Sequence, residues 1–108
     1  MDMQLQGRTA LVTGASAGIG RGIAKALAAE GVRLAVSARR ADKLEELSAE
    51  IVAAGGAAPL IIVQDMLHSD AAQRIADAAL AGVGAVDILV NNAGGSRSFK
   101  ELHVIEAA

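Results

Sequence analysis

The sequence contains no cysteine, no tyrosine and no tryptophan, and its single phenylalanine is Phe99. Without cysteine the chain forms neither a disulfide scaffold nor a thiolate metal site, and this composition fits a reducing compartment. Without tyrosine, a mechanism that requires a phenolic acid does not run on these residues. The two histidines, His68 and His103, lie far apart without metal-ligand spacing, so we expect surface or loop positions for them and no metal site.

An excess of either charge is also missing. Ten lysines and arginines stand against twelve aspartates and glutamates, which gives a formal charge of -2, and the basic residues are scattered. We expect no nucleic-acid partner, because proteins that bind nucleic acid concentrate basic side chains on one surface. No apolar run approaches the ~20 residues that cross a bilayer, and the first residues lack a signal-peptide pattern. We therefore expect no membrane partner and a cytoplasmic location.

Four short aliphatic runs alternate with alanine-rich stretches of helical period in a chain of 108 residues, which is enough for one domain. The runs show little polar alternation, as is typical of buried parallel strands, and cover residues 9–13, 33–37, 59–63 and 87–91. The order βαβαβαβ predicts an α/β fold with a doubly wound parallel sheet. Pro59 cannot donate to a strand ladder, so either its strand lies at an edge or Pro59 is its first residue, and the common order 3-2-1-4 puts this strand at an edge. The fourth run would then form the other edge, although its apolar sequence is typical of a central strand.

Each predicted helix has an apolar face and recognisable ends. The first is predicted to end at Gly31, the second to run from an Asp42 N-cap to residues 55–56, and the third to run from residues 69–70 to Gly82. The side chains expected to face the core are Ile19, Ile23, Leu27, Leu44, Leu47, Ile51, Ile75, Ala76, Ala79 and Leu80.

Residues 13–20 read TGASAGIG and connect the first strand to the first helix. Gly14 can adopt a positive φ where the backbone must reverse. The helix N-terminus presents unpaired N–H groups, and the missing side chains at Gly18 and Gly20 let an anion approach and let the helix lie close to the sheet. A pyrophosphate is the expected ligand, with the Ser16 hydroxyl as an additional donor. The alternative is a tight turn that binds nothing, since the spacing matches neither G-x-G-x-x-G nor a P-loop.

Together, T-G-x-x-x-G-x-G at residues 13–20 and N-N-A-G at residues 91–94 resemble the classical short-chain dehydrogenase/reductase family. The resemblance covers residues 7 to about 100 and implies a Rossmann-type fold. It implies that phosphate and ribose are bound by Gly14, Ser16, Gly18, Ile19 and Gly20. It also implies that the adenine side is bound by Asp65 and Met66, and the adenosine ribose by Asn92, Ala93 and Gly94. Asn91 is interpreted as supporting the strand, and a polar turn is the alternative for both asparagines.

The same resemblance implies a catalytic serine, a Y-x-x-x-K pair and an asparagine in a later helix, none of which can be assigned in this sequence. We therefore expect residues 1–108 to be the N-terminal part of a single NAD(P)-binding domain, with no catalytic residue. The full-length protein is expected to be a homo-oligomeric oxidoreductase that transfers a hydride between the nicotinamide and an alcohol or ketone. The alternatives are a non-catalytic dinucleotide-binding module or sensor, and a truncated chain.

The residues after the second strand bear on the choice of nicotinamide. NAD-preferring family members carry an acidic residue where this sequence has Ala38, which is followed by Arg39 and Arg40. A planar guanidinium can pair with a 2′-phosphate, and Ser37 can add a hydroxyl. This pattern favours NADP over NAD, although Ala17 stands where NADP-preferring members often have a basic residue. The alternative is a pair of solvated arginines in a loop.

Overall fold

A computed structural model describes residues 5–16, 18–65 and 67–92. The predicted alternation is confirmed, with elements β1 (Thr9–Thr13), α1 (Gly18–Ala29), β2 (Arg33–Ala38), α2 (Ala41–Ala53), β3 (Leu60–Val63), α3 (Ala71–Val83) and β4 (Ile88–Asn91). The strands are parallel and their order is β3-β2-β1-β4, as predicted. Pro59 lies just before β3, which is one edge of this sheet, and β4 is the other. No helix in the described part of the chain is both long and apolar enough to cross a membrane.

Side chains of the sheet alternate between two cores. Val12 and Val36 belong to the core that α1 and α2 cover. Leu11 and Ala35 belong to the core that α3 covers, where they join Ile75. Helices therefore lie on both faces of the sheet, as a doubly wound arrangement requires.

Helix α1 packs on the sheet through small residues rather than through the predicted aliphatic face. Its buried residues are Gly20, Ala24 and Ala28. Ile19 is 74% exposed, and Ile23 and Leu27 are only partly buried, so the predicted face is wrong by one position. The reason is distance: small side chains let the helix lie close to the strands, and a helix so placed turns its larger side chains outward.

The start of α2 also differs from the prediction. Its N-cap residue is Arg40, with φ -100° and ψ 108°, and Asp42 lies inside the first turn without capping the helix. The Asp42 carboxylate is bonded to the Arg40 guanidinium, and the helix begins one residue before Asp42. The predicted burial of Leu44, Leu47 and Ile51 is confirmed.

Helix α3 begins after Asp70, as predicted, but it continues through Gly82. A Cβ on Gly82 would overlap the Leu60 side chain, so this glycine provides clearance between α3 and β3. The helix ends before Gly84, whose φ of 89° is the left-handed conformation of a terminating glycine. Leu80 was expected in the core and is 45% exposed.

At the amino end of the sheet, Asp87 joins the start of β4 to β1. The Thr9 backbone N–H donates to Asp87 Oδ2 at 2.9 Å, and the Asp87 N–H donates to the Thr9 carbonyl at 3.0 Å. The Thr9 hydroxyl donates to the Ala85 carbonyl. These bonds fix the register in which β4 pairs with β1.

Candidate functional site

The backbone reverses between β1 and α1 through two glycines in the left-handed region. Gly14 has a φ of 64°, as predicted, and Gly18 has a φ of 62°. Between them, the Ala15 N–H donates to the Ser37 carbonyl at 3.1 Å, which ties the loop to the end of β2. A residue with a Cβ would be strained at either glycine.

Gly20 and Gly18 serve the loop in different ways. A Cβ on Gly20 would overlap the Gly14 carbonyl and lie 2.7 Å from Asn92 Nδ2, so protein atoms fill the space beside it. A Cβ on Gly18 would have nothing within 4 Å. Gly20 therefore seats the first turn of α1 against the loop, whereas Gly18 faces open space that a ligand can enter.

Thr13 joins the carboxyl ends of β1 and β4. Its fully buried hydroxyl donates to Asn91 Oδ1 at 3.1 Å and accepts from the Asn92 backbone N–H at 3.0 Å. The Asn92 side chain donates to the Gly14 carbonyl at 3.3 Å. Residues 13–14 and 91–92, distant in sequence, are thus joined by hydrogen bonds. Sequence reasoning gave Thr13 no role, although its place just before the first glycine was a usable signal.

A cleft of about 340 Å³ opens beside the glycine loop at the carboxyl end of the sheet. Its volume lies in the range of small-molecule sites. It is lined by Gly14, Ser16, Ser37, Ala38, Arg39, Gln64, Asp65 and Leu67. The cleft therefore brings together predicted residues from three segments: the glycine loop, the end of β2 and the loop after β3.

The loop after β3 supplies one acidic and one apolar group to the cleft. Asp65 Oδ1 accepts the Leu67 N–H at 2.9 Å, and this turn orients the carboxylate. Leu67 is 86% exposed, which is unusual for a large apolar side chain and leaves it free to contact a ligand. The Gln64 N–H donates to the Ala38 carbonyl at 3.0 Å, which anchors the loop to β2. Sequence reasoning missed Gln64 and Leu67.

The two neighbouring arginines occupy different environments. Arg39 lines the cleft, and no residue that the structure describes forms an ion pair with it. Arg40 is bonded to Asp42, with Nη2 2.8 Å from Oδ2. This hydrogen bond and the attraction between the charges raise the pKa of Arg40, and the hydrogen bond chiefly lowers the pKa of Asp42. The structure thus brings Arg39 to the cleft and does not bring Arg40.

Arg21, the first cation after the glycine loop, is directed to α2 instead of the cleft. Its Nη2 lies 2.5 Å from Glu50 Oε2, and Lys25 Nζ lies 3.1 Å from Glu50 Oε1. Hydrogen bonds from Lys25 and Arg21 lower the pKa of Glu50. These ion pairs hold α1 against α2 and leave Arg39 as the cation of the cleft lining.

The remaining predicted residues either do not line the cleft or lie outside the described residues. Ile19 is exposed at the start of α1 and Asn92 is exposed after β4, and neither lines the cleft. Met66, Ala93 and Gly94 lie outside the described residues. Within residues 5–16, 18–65 and 67–92, no group of three His, Asp or Glu side chains is placed to hold a metal ion.

Comparison with known proteins gives one consistent family. A family model described as short chain dehydrogenase matches residues 8–107. The chain is 50% identical over 95 residues to a short chain dehydrogenase of Pseudocercospora fijiensis (strain CIRAD86), an alignment that covers 87% of this chain and 30% of that protein.

Two solved structures illustrate the similarity in fold. A metagenomic short-chain oxidoreductase in complex with NADP matches with a TM-score of 0.77 and 47% identity, over 84% of this chain and 41% of that one. A 7α-hydroxysteroid dehydrogenase complexed with NADH and 7-oxo glycochenodeoxycholic acid matches with a TM-score of 0.80 and 39% identity, over 87% and 36%. The chain spans roughly a third of the length of these three relatives.

Proposed function

Because this chain belongs to the short-chain dehydrogenase family, we propose that it is the N-terminal, cofactor-binding part of a single Rossmann-type domain. The full-length protein is an oxidoreductase that acts on an alcohol or a ketone. The observation that carries this proposal is the cleft, where the glycine loop, Arg39 and Asp65 converge at the carboxyl ends of parallel strands. Open α/β sheets bind their ligands at this edge.

The residues present fit a dinucleotide. Backbone N–H groups at the start of α1 and the Ser16 hydroxyl offer donors to a pyrophosphate, and open space beside Gly18 admits it. The Asp65 carboxylate offers an acceptor for an adenine amino group, and Asn92 borders the ribose side. Ile19, Gly14, Gly20, Met66, Ala93 and Gly94 complete the proposed set. When bound, the nicotinamide supplies or accepts the hydride.

NADP is the proposed cofactor, in preference to NAD. Ala38 leaves the end of β2 without a carboxylate to bind a 2′-hydroxyl, and Arg39 stands beside it in the cleft. Ser37 also lines the cleft, but it is only 1% exposed. Its hydroxyl can therefore contact a ligand only where the ligand lies against the cleft wall. Arg40 also belongs to the proposed set, but its guanidinium can contact the cofactor only after its bond to Asp42 breaks.

The test is a titration of the full-length protein with NADPH and with NADH, followed by nicotinamide fluorescence. One hydrogen-bonded contact between arginine and phosphate is worth about 1.5–3 kcal/mol, which predicts roughly ten- to hundredfold tighter binding of NADPH. The double variant Ala38→Asp/Arg39→Ala should reverse the preference. NADH binding as tight as NADPH binding in the unmodified protein would contradict the proposed cofactor.

A non-catalytic dinucleotide-binding module is the alternative, because the residues that line the cleft offer donors and acceptors to a dinucleotide and none of them is assigned a catalytic role. NADPH oxidation by the full-length protein with a panel of ketones separates the two functions. We also propose that the full-length protein is a homo-oligomer located in the cytoplasm, and the lack of cysteine in this sequence fits a reducing compartment. Light scattering and cell fractionation test these two points.

A further inference from the structure

A bidentate ion pair fixes Arg40 at the start of α2. Arg40 Nη2 lies 2.8 Å from Asp42 Oδ2, and Arg40 Nε lies 3.3 Å from Asp42 Oδ1. Arg40 is the N-cap residue and Asp42 belongs to the first turn, so the pair bridges the entry to the helix. The two side chains are 58% and 63% exposed, which means that water competes with the bond.

Because of this ion pair, the adjacent residues Arg39 and Arg40 differ in their access to the cleft. Ala38 and Arg39 line the cleft, and the backbone of Arg40 begins one residue further on. An unrestrained arginine side chain at this position is long enough to turn toward an anion bound by its neighbour. Asp42 instead accepts hydrogen bonds from Nε and Nη2 of the Arg40 guanidinium. The cleft is therefore lined by Arg39 and not by Arg40.

We propose that Asp42 weakens the recognition of the cofactor's 2′-phosphate by holding Arg40 away from the cleft. The proposal rests on the NADP preference proposed above. A phosphate dianion has acceptor oxygens for two guanidinium groups, so a released Arg40 adds a second charged contact beside that of Arg39. A dinucleotide that acts as a co-substrate must leave after each turnover, and a second contact of this kind slows its release. Asp42 is therefore a residue that sets cofactor affinity without touching the cofactor.

The central variant is Asp42→Asn in the full-length protein, titrated with NADPH and with NADH. Freeing Arg40 should lower the Kd for NADPH by about three- to tenfold, the range expected for one added contact at an exposed site. The Kd for NADH should change by less than about twofold, as for an ordinary surface substitution. Thermal unfolding monitored by circular dichroism checks that α2 stays folded, and Asp42→Ser provides a second replacement that suits a helix start.

Two further variants separate release of Arg40 from simple loss of a negative charge. Arg40→Ala alone provides the reference NADPH affinity of a protein that lacks this guanidinium. Asp42→Asn should bring no gain when combined with Arg40→Ala. Glu45→Gln is the matched control, since it removes the same charge from an exposed position on the same helix and should leave both affinities unchanged.

The possible outcomes separate the role of Asp42 from the cofactor preference. NADPH binding that is unchanged or weaker in both Asp42 variants contradicts the proposal. An equal gain with and without Arg40 also contradicts it, because a nearby charge then acts without the arginine. If the unmodified protein does not prefer NADPH over NADH, the proposed cofactor preference is wrong. If the unmodified protein prefers NADPH and Asp42→Asn does not increase this preference, only the proposed role of Asp42 is contradicted.

Discussion

The two ends of the sheet join β1 to β4 with the same kind of residue, and only one end carries the candidate site. At the amino end, Thr9 is bonded to Asp87 and Ala85. At the carboxyl end, Thr13 is bonded to Asn91 and Asn92. Both threonines are buried and belong to the same strand, so the difference between the ends does not come from the threonine.

Cavity volume does not explain the difference either. The amino end has a cavity of about 240 Å³, against about 340 Å³ for the cleft at the carboxyl end. The amino-end cavity is lined by Arg33, Leu34, Ala57, Ala58, Pro59, Leu60, Gly82 and Val83, which provide one charged side chain and no hydroxyl. Parallel strands direct the following helix N-termini to their carboxyl ends, and donors collect there. Strand direction therefore decides which end becomes a site.

The largest expected effect is at the carboxyl end. Gly20→Val would push a side chain into the Gly14 carbonyl, which is backbone and cannot rotate away. We expect NADPH affinity to fall by roughly a hundredfold or more and stability by about 1–3 kcal/mol. Gly22→Val is the matched control, because a Cβ on Gly22 meets nothing within 4 Å. Equal NADPH binding by both variants would show that the seating of α1 does not matter to the cofactor.

The two threonines allow a direct test of the comparison. Thr13→Val and Thr9→Val each remove the hydrogen bonds of a buried hydroxyl, and two such bonds together are worth about 1–3 kcal/mol of unfolding free energy. Only Thr13→Val should weaken NADPH binding, because only Thr13 positions Asn92 beside the glycine loop. Urea unfolding and NADPH titration of both variants measure the two effects. A similar loss of affinity in Thr9→Val would remove the distinction between the ends.

Asp87 offers a milder change at the amino end. Asp87→Asn keeps the shape and one acceptor oxygen but weakens a charge-assisted bond to the Thr9 N–H, which should cost about 0.5–1.5 kcal/mol. NADPH affinity should not change, since no atom of Asp87 lines the cleft. We therefore expect a lower free energy of unfolding with unchanged NADPH affinity. A parallel fall in affinity would contradict the distinction between the two ends of the sheet.

The smallest effect concerns Glu50, which lies at neither end of the sheet. Lys25 and Arg21 hold its pKa below the ordinary 4.5, so the folded state binds this proton less readily than the unfolded chain. The resulting stability is complete above the ordinary pKa and disappears as the pH falls through the lowered one. The Tm difference between the unmodified protein and Glu50→Gln should therefore be largest near neutral pH and shrink in acid. A difference that is constant with pH would argue against the ion pairs as its source.

The strands could be predicted from the sequence to within one residue at each end, because short unbroken aliphatic runs are typical of strands buried on both faces, and Pro59 indicated the edge. The buried face of α1 could not be predicted in the same way, since closeness to the sheet selects Gly20, Ala24 and Ala28 over larger side chains. Hydrophobic periodicity does not report how near a helix lies to its neighbours.

The candidate site shows the same division. The glycine loop could be found from its spacing, because that feature is local in sequence, whereas Asp65 was indicated only by the family resemblance. The sequence could not show which of Arg39 and Arg40 lines the cleft, because this depends on which arginine Asp42 contacts. Asp42 itself was interpreted as an N-cap, since an aspartate near a helix start has two competing partners and composition does not choose between them.

The small buried face of α1 also limits how this protein can evolve. Methyl groups and hydrogens set the spacing between α1 and the strands, and any residue larger than alanine would increase it. A larger side chain at Ala24 or Ala28 would move α1 away from the sheet and displace the glycine loop with it. We therefore expect few substitutions to be tolerated at these positions. Inherited variation near the loop is instead expected at outward positions such as Ile19 and Gly22, where a different side chain does not reshape the interior.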